Sequence, residues 1–191
     1  MSGMRFLRHF LTDPAAIGAI APSSPELAEL ITDAADLGAT DMVVEFGPGT
    51  GVFTEVIMRK LPARARFLAI EQNPELAELT RKRCPSAAVH VDSAVALPRY
   101  LSDLGASDCD RIICGLPWAA FSDELQDSLL ATITGALRPN GRLLTFAYLQ
   151  GLLLPAGQKF RRKLRGAFRK VSTTRTVWRN LPPAFVYVAE K

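Results

Sequence analysis

At 191 residues with 48% hydrophobic content, the chain can bury a full core but is short for two domains of ordinary size, so residues 1–191 are expected to fold as a single domain. Its three cysteines, Cys84, Cys109 and Cys114, are odd in number and lack paired CxxC spacing, which argues against a disulfide framework and a zinc site and for reduced thiols in a cytosolic protein. The net charge of +4 divides into −7 over residues 1–127 (11 Lys/Arg, 18 Asp/Glu) and +11 over residues 128–191 (12 Lys/Arg, Glu190 alone), a basic third that predicts an anionic partner such as a lipid headgroup layer, nucleic acid or a phosphorylated substrate.

From Met4 to Thr12, Phe6, Leu7, Phe10 and Leu11 fall on one helical face and Arg5, Arg8, His9 and Thr12 on the other, predicting a cationic amphipathic helix. This start lacks the apolar region of an export signal. The longest apolar stretch, Leu143 to Pro155, is broken by Thr145, Gln150 and Gly151 and falls short of the ~20 residues of a spanning helix. The expected location is therefore the cytoplasm. After the loop Ala21 to Pro25, Ser24 is placed to cap a helix with Pro25 at its first position and Leu27, Leu30 and Ile31 inward.

Beyond Asp41, strands near 42–46, 66–71, 88–91, 110–114 and 142–148 alternate with helices near 52–60, 74–83, 94–103 and 122–136. Such alternation predicts an α/β fold, a parallel sheet covered on both faces. The tail changes character: a basic helix near 157–166, a strand from Val171 to Trp178, the turn Asn180-Leu181-Pro182-Pro183, and a last strand Phe185 to Val188. These suggest an antiparallel hairpin closing a mostly parallel, seven-stranded sheet.

The first strand runs into Glu45-Phe46-Gly47-Pro48-Gly49-Thr50-Gly51, three glycines where the backbone turns sharply and a ligand can approach closely. Glu71 ends the second strand, where a carboxylate can accept both hydroxyls of a ribose; Asp92-Ser93-Ala94 follow the third, in position for an adenine edge. A dinucleotide would use the same layout, but Gly-x-Gly-x-Gly with a carboxylate two residues ahead departs from the G-x-G-x-x-G fingerprint. It resembles instead the E/D-x-G-x-G-x-G motif of Rossmann-like methyltransferases. That resemblance implies S-adenosyl-L-methionine as methyl donor and S-adenosyl-L-homocysteine as product. The implied donor site is Glu45, near the methionine amino group, with Gly47, Gly49, Thr50, Gly51, Glu71, Gln72, Asp92, Ser93 and Ala94, joined by Gly115 and Leu116. Ser23 and Ser24 resemble family residues at the methionine end, although helix capping accounts for Ser24 as well.

Relatives that methylate exocyclic base amines carry Asn/Asp-Pro-Pro-Tyr or Asn-Leu-Pro-Tyr after the fourth strand. Here Gly115-Leu116-Pro117-Trp118 offers no acceptor, and the chain ends at Lys191 without the C-terminal helical domain of the rRNA adenine dimethyltransferases it otherwise resembles. The stronger resemblance is to the bacterial phospholipid N-methyltransferases. It is carried by Gly18 to Ser24, Glu45 to Gly51, Gly115 to Trp118, and Arg179 to Tyr187. It implies stepwise methylation of the phosphatidylethanolamine amine by a peripheral enzyme at the inner face of the cytoplasmic membrane. Ornithine-lipid N-methyltransferases share the pattern and are the alternative, with an rRNA adenine N6-methyltransferase behind them; nucleic acid is the less favoured partner and a monomer is expected.

In-line transfer needs alignment and dryness rather than a metal. Tyr148, at the end of the fifth strand, is the candidate to receive the amine's proton, and Trp118 with Tyr148 to hold the growing cation by about 0.5–2 kcal/mol of cation–π attraction. Arg179 is the candidate for the lipid phosphate, or equally a surface arginine at the hairpin. Residues 1–36 form an extension expected to touch the membrane and cover the donor site, with basic support from Lys159, Arg161, Arg162, Lys163, Arg165, Arg169 and Lys170, between which lie Phe160, Leu164 and Phe168.

Overall fold

The computed structural model describes residues 23–191, so the amphipathic helix expected near Met4 to Thr12 lies outside the described residues. Helix α1 (Pro25–Ala35) begins as its sequence dictates. The Ser24 hydroxyl accepts from the Leu27 N–H at 3.2 Å, and Pro25 occupies the first turn, where a missing N–H leaves no bond unmade. The helix ends at Asp36, which takes a left-handed φ of 52°. Leu27, Ala28, Ile31, Thr32 and Ala35 face inward, while Leu30, expected among them, is only half-buried.

Seven strands form one sheet in the order β3-β2-β1-β4-β5-β7-β6: β1 (Met42–Phe46), β2 (Arg66–Glu71), β3 (Val89–Val91), β4 (Cys109–Cys114), β5 (Leu137–Tyr148), β6 (Lys170–Thr173) and β7 (Ala184–Glu190). Neighbours among β1 to β5 pair in parallel; β7 runs antiparallel to both β5 and β6. The parallel pairs need crossovers, supplied by α2 (Val52–Lys60), α3 (Pro74–Arg83), α4 (Leu97–Asp103) and α5 (Asp123–Ala136). Strands β1 and β4 are buried on both faces, which explains their continuous apolar character. Val44, Phe46, Ile112 and Leu143 point to one side, against α4, α5 and α6 (Pro155–Ala167); Val43, Ile113 and Leu144 point to the other, against α1 and α2.

Three features differ from the sequence expectation. The α5 helix passes directly into β5, which therefore starts at Leu137 rather than near 142. The strand expected to reach Trp178 stops at Thr173. There the Thr174 hydroxyl accepts the Val186 N–H at 3.0 Å, a side chain taking a ladder bond, and a single bridge between Val177 and Ala184 follows. The basic stretch is the third. Phe160, Leu164 and Phe168 are 4%, 0% and 6% exposed, so the apolar face of α6 packs into the core and is not free for lipid. Lys159 pairs with Asp123, Lys163 with Asp127 at 2.6 Å, and Arg169 with Glu190, which ties three of the expected lipid-facing cations to the fold itself. Among the described residues no helix is long and apolar enough to cross a membrane.

Candidate active site

The sheet order reverses between β1 and β4, and in open α/β sheets the crevice beyond the strand carboxyl ends opens at such a point. The chain leaves β1 through left-handed φ values at Gly47 (66°), Gly49 (60°) and Gly51 (80°), conformations that cost L-residues with a Cβ about 1–2 kcal/mol. Gly115, after β4, comes so close that its N–H donates to the Phe46 carbonyl at 2.7 Å. A Cβ there would lie 2.6 Å from the Gly47 carbonyl oxygen. With the backbone placed as it is here, position 115 has no room for a side chain.

Glu71, 6% exposed, stands at the end of β2 with Oε2 accepting from Gly49 N–H at 3.1 Å and Oε1 from Asn73 N–H at 2.9 Å. Burial raises its pKa, and those backbone donors pull it back down. Asn73 also caps α3, accepting from the Glu75 and Leu76 N–H groups. Asp92 follows β3. Its carboxylate accepts from Ser93 N–H (2.7 Å), the Tyr100 hydroxyl (3.1 Å) and Arg99 (2.7 Å), and the Ser93 bond foremost, then the tyrosine, holds its pKa below the usual carboxylate range. His90 packs at 4.5 Å against the Tyr100 ring.

One cleft joins these loops. Gly47 and Gly49, Glu71 and Gln72, Asp92 to Ala94, and Gly115 with Leu116 line it, nine of the residues expected to bind a donor. Its lining also includes apolar side chains, among them Leu76, Phe121, Leu125 and Leu129. Leu125 and Leu129 lie one turn apart on α5 and so share a face. That spacing is visible in the sequence, but only the fold shows that the face borders the cleft.

The remaining expected residues lie elsewhere. Glu45 is fully buried behind the glycine loop: Oε2 accepts from the Thr54 hydroxyl at 2.7 Å, and Oε1 has no partner among the described residues. Desolvation pushes its pKa up to about 8, countered in part by Thr54. Thr50 and Gly51 lead into α2, Gly51 as its N-cap, and the Thr50 carbonyl accepts from Arg83 at 3.2 Å. Ser23 precedes the α1 cap, and the Ser24 N–H donates to the Asn180 side-chain oxygen at 2.9 Å. Trp118, expected to face a cationic headgroup, is a core side chain instead. It is 3% exposed, its Nε1–H donates to Thr145 at 3.0 Å, and Phe160 covers its ring at 4.7 Å and 21°. Tyr148, at the carboxyl end of β5, is half-buried against the edge of Phe146, and burial raises its pKa. Arg179 is exposed and has no ion-pair partner among the described residues.

The arrangement fits the donor implied by the glycine loop. Apart from its chain neighbours, a Cβ at Gly49 would meet no atom of the described residues within 4 Å, and Gly49 lines the cleft, so a ligand can approach the backbone closely there. Glu71 lies in the cleft lining, and its carboxylate, which accepts the Gly49 and Asn73 N–H groups, is an acceptor-only group of the kind a diol can donate to. Among the described residues no group of three or more His, Cys, Asp or Glu side chains is gathered to hold a metal.

Known proteins agree with this architecture. A family described as "Methyltransferase domain" matches residues 43–141, over half the chain. An ornithine lipid N-methyltransferase of Singulisphaera acidiphila is 31% identical over 185 residues, 95% of this chain and 92% of its own. A ribosomal RNA small subunit methyltransferase A of Synechococcus sp. is 31% identical over 137 residues, 70% of this chain but 42% of its own. An O-methyltransferase from Bacillus cereus, solved in complex with SAH, superposes with a TM-score of 0.70 at 16% identity, covering 99% of this chain and 90% of that one.

Proposed function

Because the chain belongs to the methyltransferase-domain family of Rossmann-like, S-adenosylmethionine-dependent enzymes, we propose that it methylates the amine of a membrane lipid headgroup. The observation that carries this reading against a nucleobase amine is Gly115. At the position from which base-amine enzymes present a side-chain acceptor, a Cβ would collide with the Gly47 carbonyl at 2.6 Å. The near end-to-end similarity to an enzyme named for ornithine lipid supports a lipid, and favours an ornithine headgroup at least as much as phosphatidylethanolamine. Both carry a primary amine that can be methylated stepwise.

The donor, when bound, supplies a methyl group on a sulfonium, which a neutral amine takes in one in-line displacement. The residues of the chain hold and exclude. Glu71 accepts from the ribose hydroxyls, Asp92 to Ala94 meet the adenine edge, and Leu76, Phe121, Leu125 and Leu129 keep water from the ring. Glu45 stands behind the glycine loop with Oε1 unpartnered among the described residues, on the side where the resemblance puts the acidic residue nearest the methionine amino group. Tyr148 can hydrogen-bond the amine, but with its pKa raised it remains a phenol at neutral pH, so the proton released on methylation leaves to water. Arg179, unpaired in the described fold, serves the anionic part of the headgroup, and residues 1–12, outside the described residues, attach the enzyme peripherally to the inner face of the cytoplasmic membrane.

Expression in a bacterial host that makes both lipids, followed by thin-layer analysis of the extract, tests the assignment. Methylated derivatives of phosphatidylethanolamine or of ornithine lipid are expected, and which spot moves identifies the headgroup. Unaltered lipids beside newly methylated rRNA adenine would contradict it.

A further inference from the structure

Two loops leave the carboxyl edge of the sheet side by side. Residues 149–154 follow β5 and residues 174–183 precede β7; Tyr148 and Ala184 are register partners, and the Leu149 N–H donates to the Pro183 carbonyl at 2.8 Å. Their tips carry the most exposed large apolar side chains among the described residues: Leu153 at 82%, Leu181 at 72%, Trp178 at 69% and Leu154 at 55%. The second loop is fixed on its inner side. Val177 is fully buried and bridges Ala184, and Asn180, 3% exposed, accepts the Ser24 N–H and donates to the Pro182 carbonyl at 2.7 Å. With positions 177 and 180 turned in, Trp178, Arg179 and Leu181 are held out.

We propose that Leu153, Leu154, Trp178 and Leu181 form the surface by which the enzyme docks on an anionic lipid bilayer. Charge favours that occupant: the two loops contain Arg175 and Arg179 and no acidic residue, and among the described residues only Arg175 is ion-paired, with Glu26 at 2.8 Å. A tryptophan beside an arginine and leucines suits the headgroup boundary, where an indole keeps its N–H wet while its ring leaves water. Position favours it too. The loops rise from the edge of the sheet on which Gly47 and Gly115 open the cleft, so docking turns the cleft mouth toward the headgroups. This inference rests on the lipid reading for its purpose, but its physical test does not require catalysis.

The full chain contains two tryptophans, and Trp118 is already buried, so a change in emission on adding vesicles reports Trp178. With phosphatidylglycerol–phosphatidylethanolamine vesicles the expected result is a blue shift, quenching by lipids brominated on the acyl chain, and loss of both responses in Trp178→Phe. The double variant Leu153→Asp/Leu181→Asp should lose vesicle co-sedimentation severalfold while keeping wild-type melting and calorimetric donor affinity. If Trp178 remains in water on vesicles that bind the protein, or if the double variant binds as well as wild type, the docking surface is wrong. A blue shift that depends on protein concentration without vesicles would assign these loops to a second copy of the chain and would likewise overturn it. Docking without any methylated lipid would refute the substrate reading alone, whereas methylation of detergent-dispersed lipid with Trp178 unshifted would refute the docking alone.

Discussion

Glu45 places a carboxyl group, with one oxygen unpartnered among the described residues, in the centre of the fold, and the consequence is a stability that depends on pH. The unfolded residue titrates near its ordinary value of 4.5, while burial raises the folded value to about 8. Between those values the native state holds a proton that the unfolded chain has released. The stabilisation is therefore complete below about 4.5 and is lost as pH rises through about 8. Glu71, also raised by burial, acts in the same direction. Melting temperature should accordingly fall from mildly acidic to mildly alkaline pH, and Glu45→Gln, which keeps an acceptor for Thr54, should flatten that fall; scanning calorimetry across the range checks it, and an unchanged slope in the variant would contradict the assignment. Much at this scale was legible from sequence alone: the three glycines, Glu71 and Asp92 are recognisable because turn geometry and strand ends dictate residue type. The Thr54 partner and the burial of Trp118 were not, because they depend on which residue of one element meets which residue of another.

Between elements, Asn180 joins two segments that lie 156 residues apart in the chain, the entry to α1 and the approach to β7. Both segments are among those that carry the resemblance to the phospholipid N-methyltransferases in the sequence, and in the fold a buried amide ties them by satisfying a backbone N–H and a backbone carbonyl together. Asn180→Ala removes both bonds inside the fold, at about 1–3 kcal/mol for groups left unsatisfied. In a chain of this size that corresponds to a melting temperature lowered by roughly 2–4 °C for each kcal/mol. Because Asn180 does not line the cleft, donor affinity should be retained; calorimetry with S-adenosylmethionine alongside thermal melting reads both, and unchanged melting would show that the link is dispensable. The α6 helix shows what periodicity cannot decide. Its apolar face and its basic face are both evident in the sequence, yet pattern alone does not say whether Phe160 and Leu164 meet lipid or protein; the strands they cover, and the acids of α5 that receive Lys159 and Lys163, decide for protein.

For the molecule as a whole, alternation of strand and helix was sufficient to foresee a mostly parallel sheet with an antiparallel end, since parallel neighbours require crossovers and each crossover leaves a helical pattern. Strand order was not available from the residues alone, and neither was the convergence of the loops at 149–154 and 174–183 on the edge that carries the cleft. The central claim concerns what accepts the methyl group. The most direct measurement offers purified full-length protein a labelled donor in one reaction with vesicles containing phosphatidylethanolamine, vesicles containing ornithine lipid, and ribosomal RNA, then counts label in each fraction. Label in the amine of one or both lipids, with the RNA unlabelled, is the predicted result; label in RNA adenine with none in lipid would contradict the account.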